Sequence, residues 1–448
     1  MAISNARRVS VLLWILALAL LALTPTRAAA VPAYAVQTGQ PCSGCHVGGF
    51  GPQLTPFGRA FKMGGYTLRT DSFNVPVSAM VIASYIATQK AQASAPAPSF
   101  GTNDNLALDQ ASLFIAGGLG AHLGAFVQTT YDGVAKAWHW DNLDVRAVTT
   151  ATIKGVDMIL GISVNNAPTV TDPFNTLAAW GFPYTDSSLA PGPIASPLIG
   201  NLAQDELGLT AYAWINSTVY IEAGGYRSPD ARTLTRLGID PTDPGNVRTV
   251  SPYGRIAYVK TFGAGNLEVG AFAMSANIYP GLNESAGLTD HYADTGLDAS
   301  YQYFAKTKDV ITVDSRFTYE DQRLDASDAL GLASNRHDHL IDARFDASYY
   351  SHDKIGATIG AFDTAGSTDA LLYAADRTLR PATSGLNFQL DDTLYGGGDS
   401  PFGPRFNLRV GVQYTAYLQF DGAGRNFDGL GHDASDNNTF RVFAWAAY

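Results

Sequence analysis

The feature that most limits what this chain can become is a period-two alternation running from about Val75 to the last residue. Ile311, Val313, Phe317 and Tyr319 alternate with Thr312, Asp314, Arg316, Thr318 and Glu320; Ile341, Ala343, Phe345, Ala347 and Tyr349 alternate with Asp342, Arg344, Asp346 and Ser348. Across Leu408, Val410, Val412, Tyr414, Ala416, Leu418 and Phe420 the apolar face is unbroken, while Arg409, Gln413, Thr415 and Gln419 take the other face. Successive side chains of a strand point to opposite faces, so each segment is a strand with one apolar and one polar side. The strands fall at roughly 75–90, 105–119, 123–137, 140–153, 157–166, 206–215, 218–226, 251–262, 267–279, 291–304, 310–322, 337–350, 354–363, 385–395, 406–420 and 438–448, an even set of about sixteen.

Short connections such as 120–122, 154–156, 216–218, 263–266 and 352–354 interleave with long ones at 91–104, 167–205, 227–250, 323–336, 364–384 and 421–437. Short turns on one side and long loops on the other are the pattern of an outer-membrane barrel with both termini periplasmic. A soluble sandwich array would also have polar second faces. Charged residues make up only 15% of the chain, against about 25% in soluble domains. The final strand places Phe440, Val442, Ala444, Ala446 and Tyr448 on one face, which resembles the C-terminal sorting signal of bacterial outer-membrane proteins. The expectation is an all-β protein, an outer-membrane β-barrel of about sixteen strands over residues 75–448 with lipid as its surroundings. A net charge of −11 with no basic run argues against nucleic acid as a partner.

Two pieces precede the barrel. Arg7 and Arg8, the apolar run Val11 to Leu23 and the triplet Ala28-Ala29-Ala30 read as a secretory signal peptide over 1–30. The apolar run is too short for a membrane helix, which takes ~20 residues, and no later stretch is apolar enough for one. Residues 31–74 lack alternation and hold both cysteines, in Cys42-Ser43-Gly44-Cys45-His46.

The C-x-x-C-H spacing is that of covalent attachment of a c-type haem: two thiols add to one edge of the porphyrin and His46 falls beneath the iron as proximal ligand. A zinc site needs a second ligand pair, and a redox C-x-x-C normally opens a helix in a βαβ unit; neither context is present. Met63 is the candidate sixth ligand, with gap-filling beside the ring as its alternative role; Met80, lumen histidines and five-coordinate iron are weaker alternatives. Phe50, Leu54, Phe57, Phe61 and Tyr66 are expected to cover the ring, and Arg59 and Lys62 either to pair the propionates or to stay solvated. A segment this small cannot build a core alone, so it is expected to dock into or against the periplasmic mouth of the barrel.

The stretch PCSGCHVGGFGPQLTPFGRAFKMGGY and the closing NLRVGVQYTAYLQFDGAGRNFDGLGHDASDNNTFRVFAWAAY resemble the fused monohaem cytochrome–porins, outer-membrane proteins best known as bacterial iron oxidases. That resemblance implies one covalent haem c at Cys42, Cys45 and His46. It also implies electron transfer from extracellular Fe(II) or another reductant to a periplasmic cytochrome or cupredoxin, an Fe(II):cytochrome c oxidoreductase activity. It carries over no iron-binding residue. Asp321, Asp325, Asp328, His337, Asp338 and His339 are candidate cation ligands at the outer mouth, with solvated loop charge as the plainer role, and Trp180, Phe182 and Tyr184 mark loop 167–205 as a candidate inward constriction, with an exposed loop as its plainer role. The alternative function is a porin whose haem segment is a redox-gated plug or sensor.

Overall fold

A computed structural model describes residues 33–69, 77–396, 400–401 and 406–448; the expected signal peptide, 1–30, lies outside them. Sixteen antiparallel strands of 9 to 17 residues form one sheet. The first, β1 (Val77–Thr88), pairs on one side with β2 (Asn105–Gly118) and on the other with the last, β17 (Thr439–Ala447). Met80 lies opposite Ala447 and Thr88 opposite Thr439, so the sheet closes on itself. One element is additional to the expected set: β8 (Gly245–Val247), in the loop between β7 (Val219–Arg227) and β9 (Ser251–Phe262), pairs with the end of β10 (Gly265–Pro280).

The two faces follow the sequence alternation. On β12 (Val310–Arg323) Ile311, Phe317 and Tyr319 are exposed on the outside while Thr312, Thr318 and Glu320 are buried in the lumen. The same division puts Leu113, Ile256, Leu297, Ile359 and Leu418 on the outside. An apolar face running around a closed barrel is the surface a bilayer requires, since it leaves no unpaired strand edge in lipid. This is a transmembrane barrel of the outer-membrane type.

The lumen is full. Residues 33–69 enter it as three short helices, α1 (Ala33–Thr38), α2 (Cys42–Cys45) and α3 (Pro56–Met63). The side chain of Thr55 caps α3 by accepting from the Gly58 amide at 3.2 Å, Pro56 supplies a ready-made first-turn φ, and Gly64 follows its end. Helices this short do not persist in water; here the barrel serves their backbone. Arg409 and Asn407 donate to the carbonyls of Gly48 and Gly49, Gln302 to Leu54 and the Tyr212 hydroxyl to Met63, at 2.7 to 2.9 Å. Asp353, in a short turn, accepts from the Gly48 amide at 2.7 Å. These partners come from around the wall, so the segment sits inside the barrel and uses it as the other half of its core. Segment and barrel belong to one compact unit, Val31–Tyr448.

The loop 166–206 also folds inward. Asp172, Phe174 and Leu177 are fully buried, Thr176 donates to Asp298 on one side of the wall, and Gln413 and Arg441 donate to the Thr185 carbonyl from the other.

Candidate cofactor-binding site

The C-x-x-C-H motif is held between the two helices that flank it. His46 donates its amide to the Cys42 carbonyl at 2.8 Å, closing α2, and Thr55 bonds back twice, amide to Cys45 carbonyl at 2.9 Å and hydroxyl to Gly44 carbonyl at 2.7 Å. Gly58 is required by this approach: a Cβ there would overlap the Cys45 carbonyl. The two cysteines are not disulfide-bonded.

Cys45 and His46 open into a cavity of about 420 Å³ between the segment and the inner wall, and with Cys42 they line a smaller one of about 160 Å³ that shares those walls. Burial, with the neighbouring Cys42 thiol adding to it, pushes the Cys45 thiol up to about 11, and burial raises Cys42 as well. A thiol pushed up by burial does not suit a redox C-x-x-C, whose attacking cysteine has a lowered pKa. Among the described residues no group of three or more His, Cys, Asp or Glu could hold a metal ion. Burial, assisted by the positive charge of Arg409 and opposed by a hydrogen bond to the Gly51 carbonyl, lowers His46 to about 4. The imidazole is neutral at ordinary pH, and its Nδ1 is buried without a hydrogen-bond partner.

Facing the motif, the lumen wall departs from its polar rule. Trp445 of β17, Met80 and Ile82 of β1, Phe114 of β2 and Phe126 of β3 (Leu123–Asp132) all point inward and line the cavity. From the segment come Phe50, Leu54, Phe61 and Tyr66. Polar groups gather elsewhere on the lining: Lys62, Gln110, Gln128 and Asp141. Cys45 and His46 at a largely apolar cavity, with Cys42 on the smaller one that shares its walls, are a donor set that fits a covalently attached macrocycle.

Other expectations resolve by helix phase. On α3, Gly58, Phe61 and Lys62 face the cavity, while Arg59 and Met63, four residues apart, face away. Met63 is buried against Phe174, Tyr212, Tyr220 and Val259, so the structure does not bring it to His46. Arg59 bonds Asn266 and Ser300 at 3.2 and 2.8 Å and is not at the cavity. Lys62 is at the cavity, its ammonium donating to the Asp172 carbonyl at 2.8 Å. Phe57 is exposed and lines neither cavity, whereas Trp180 and Tyr184 of the inward loop do line the larger one.

The outer-mouth set is not assembled. His337 and His339 share a face of β13 (His337–Ser351), but it is the outer face, where His339 stacks on Tyr319; Asp338 points into the lumen. Asp325 and Asp328 pair with Arg323 and Arg336 instead. Phe114, Phe126 and Trp445 were not singled out by the sequence reading. For Phe114 and Trp445 the signal is a local lapse of alternation, since FIAGG and VFAWAA are apolar on both faces.

Fold and site define a porin-like transmembrane barrel whose lumen is filled by its own C-x-x-C-H segment and one inward loop. No protein-family model matches the chain, and no curated protein is similar to it. Among solved structures it is similar to the anion-selective porin from Comamonas acidovorans, at 11% identity and TM-score 0.44 over 83% of this chain and 98% of that one. It is similar also to the outer membrane channel DcaP of Acinetobacter baumannii (10%, TM-score 0.44, 83% and 96%) and to OprB of Pseudomonas putida (10%, TM-score 0.45, 83% and 93%).

Proposed function

We propose that this chain is an outer-membrane electron-transfer protein of the fused monohaem cytochrome–porin type. In this reading a haem c bound through Cys42, Cys45 and His46 takes electrons from an extracellular donor, Fe(II) in the first instance, and delivers them to a periplasmic cytochrome or cupredoxin. The observation that carries it is that the motif meets an apolar part of the lumen wall, Cys45 and His46 at the larger cavity and all three residues at the smaller one beside it. A haem supplies reversible one-electron chemistry that these side chains lack.

The chain's own residues do the rest. Cys42 and Cys45 anchor the group through thioethers, and His46, neutral over the working pH range, offers a lone pair to the iron. Phe114, Phe126 and Trp445 exclude water from its faces, and Lys62 sets a positive charge at the polar side. The barrel carries the site across an apolar band ~25 Å tall that otherwise insulates donor from acceptor. In this reading both termini and the short turns are periplasmic, and the inward loop packs within the lumen between the donor's side and the segment.

Haem staining of the denatured protein purified from outer membranes, followed by stopped-flow mixing with Fe(II), tests this. The stain is expected to remain on the chain and the haem bands to shift to the reduced form. A chain without covalent haem, or a haem left oxidised by excess Fe(II), refutes it. The filled lumen favours a second reading, a redox-gated plug; its mark is solute flux through reconstituted barrels that changes with redox state while Fe(II) leaves the haem bands unmoved.

A further inference from the structure

Resting on that function, we propose that Met80, a residue of the barrel wall, is the second axial ligand of the haem iron, completing the coordination begun by His46. The cytochrome segment then supplies one ligand and the barrel the other.

Met80 lies on the lumen side of β1, between the inward-facing Ser78 and Ile82, and lines both cavities into which His46 opens. Its side chain packs against the Ile82, Phe443 and Trp445 cluster, beside Phe50. Among the described residues no other methionine, and no histidine besides His46, lines either cavity.

Tyr184 also lines the larger cavity, and burial raises its phenol well above the ordinary range so that it keeps its proton; Lys62, Tyr66, Tyr34 and Asp141 are committed. The Lys62 ammonium donates to the Asp172 carbonyl at 2.8 Å. The Tyr66 and Tyr34 hydroxyls donate to Asp144 and to the Ala125 carbonyl at 2.6 and 2.8 Å. Asp141 accepts from Thr130 and Gln128, each at 2.7 Å, and tryptophan N–H groups only donate. A thioether needs no proton removed and no charge buried, which suits a ligand set in an apolar wall, and paired with imidazole it raises the potential of the iron.

The test uses the holo-protein purified from outer membranes, with Met80→Leu to keep the apolar volume and Met63→Leu as control. The oxidised wild type is expected to show the weak far-red absorption of thioether-to-iron ligation. M80L is expected to lose that band, move toward a high-spin spectrum and show a lower midpoint potential, while M63L changes neither. Met80→His is expected to restore a low-spin spectrum of the bis-imidazole type.

A haem-loaded, Fe(II)-reducible protein whose oxidised wild type lacks the thioether band, or whose M80L spectrum and potential match wild type, overturns the ligand assignment and leaves the function standing. Should M80L fail to assemble, the wild-type band and the M80H spectrum decide it. A wild type without covalent haem overturns both.

Discussion

Arg146, on β4 (Ala137–Ile153), is the group whose loss should most directly loosen the lumen contents. Its Nε lies 2.8 Å from Asp144, its Nη2 donates to the Thr171 carbonyl of the inward loop at 2.8 Å and its Nη1 to the Lys62 carbonyl of α3 at 3.3 Å. Asp144 in turn accepts from the Tyr66 hydroxyl, and both charged side chains are 0% exposed. Arg146→Met strands a buried carboxylate, which costs about 3–5 kcal/mol. In Arg146→Met/Asp144→Asn the charge is gone. The Lys62 carbonyl keeps the Gly65 amide at 3.0 Å, so the main residue is the Thr171 carbonyl deprived of its Arg146 donor, about 1–3 kcal/mol. At about 1.4 kcal/mol per decade, exchange of the Gly64, Gly65 and Tyr66 amides, bonded within the segment, should quicken roughly 10²- to 10³-fold or more in the single variant. In the double variant it should quicken roughly ten- to a hundredfold, with the barrel strands unchanged in both. Native-state hydrogen exchange in detergent reads this. Equal acceleration in the two variants, or less than about tenfold in the single one, would show that the buried pair does not hold the segment.

Cys42→Ala or Cys45→Ala should abolish haem staining of the denatured chain while far-ultraviolet circular dichroism still reports a folded barrel. Gly58→Val should drive α3 away from the Cys45 carbonyl at a cost of about 1–3 kcal/mol and lower the yield of haem-loaded protein, whereas Gly192→Ala, with open space around it, should leave the yield unchanged. Burial, with Asp243 and Asp240 adding to it, pushes the Asp205 carboxyl up to about 7. The closed loop therefore retains a proton that the opened loop gives up near the ordinary carboxylate value, so closure is firmest below about pH 4 and weakens as pH rises toward 7. Exchange protection of the Gln204 and Asp205 amides, corrected for intrinsic rate, should fall over that window and stay flat in Asp205→Asn.

The barrel was legible because its driving pattern is local: period two tells which face of a strand meets lipid, and it is plain in strands such as Val310–Arg323 and His337–Ser351. The three-residue strand Gly245–Val247 is too short to show a period. Cys42, Cys45 and His46 stood out because C-x-x-C-H is a short local pattern, and the structure brings Cys45 and His46 to one cavity with Cys42 on the smaller one beside it. The rest of the pocket was not, since alternation says that Phe114, Phe126 and Trp445 face inward but not that strands so far apart in sequence curve round one space. Met63 misled for a related reason: distance along the chain from His46 carries no direction, and the helical period of α3 sends it with Arg59 to the opposite wall.

Met80, Ile82 and Trp445 belong to the first and last strands of the barrel, which touch only along the seam where the cylinder closes. An unzipped sheet therefore has no such cavity: the event that seals the membrane protein is the event that closes the space beside Cys45 and His46. On the proposed function, a chain loaded at Cys42 and Cys45 beforehand would carry an apolar plate with no cover until the seam forms, and hiding that plate would favour zipping. Unloaded chains would then linger as open, protease-sensitive forms.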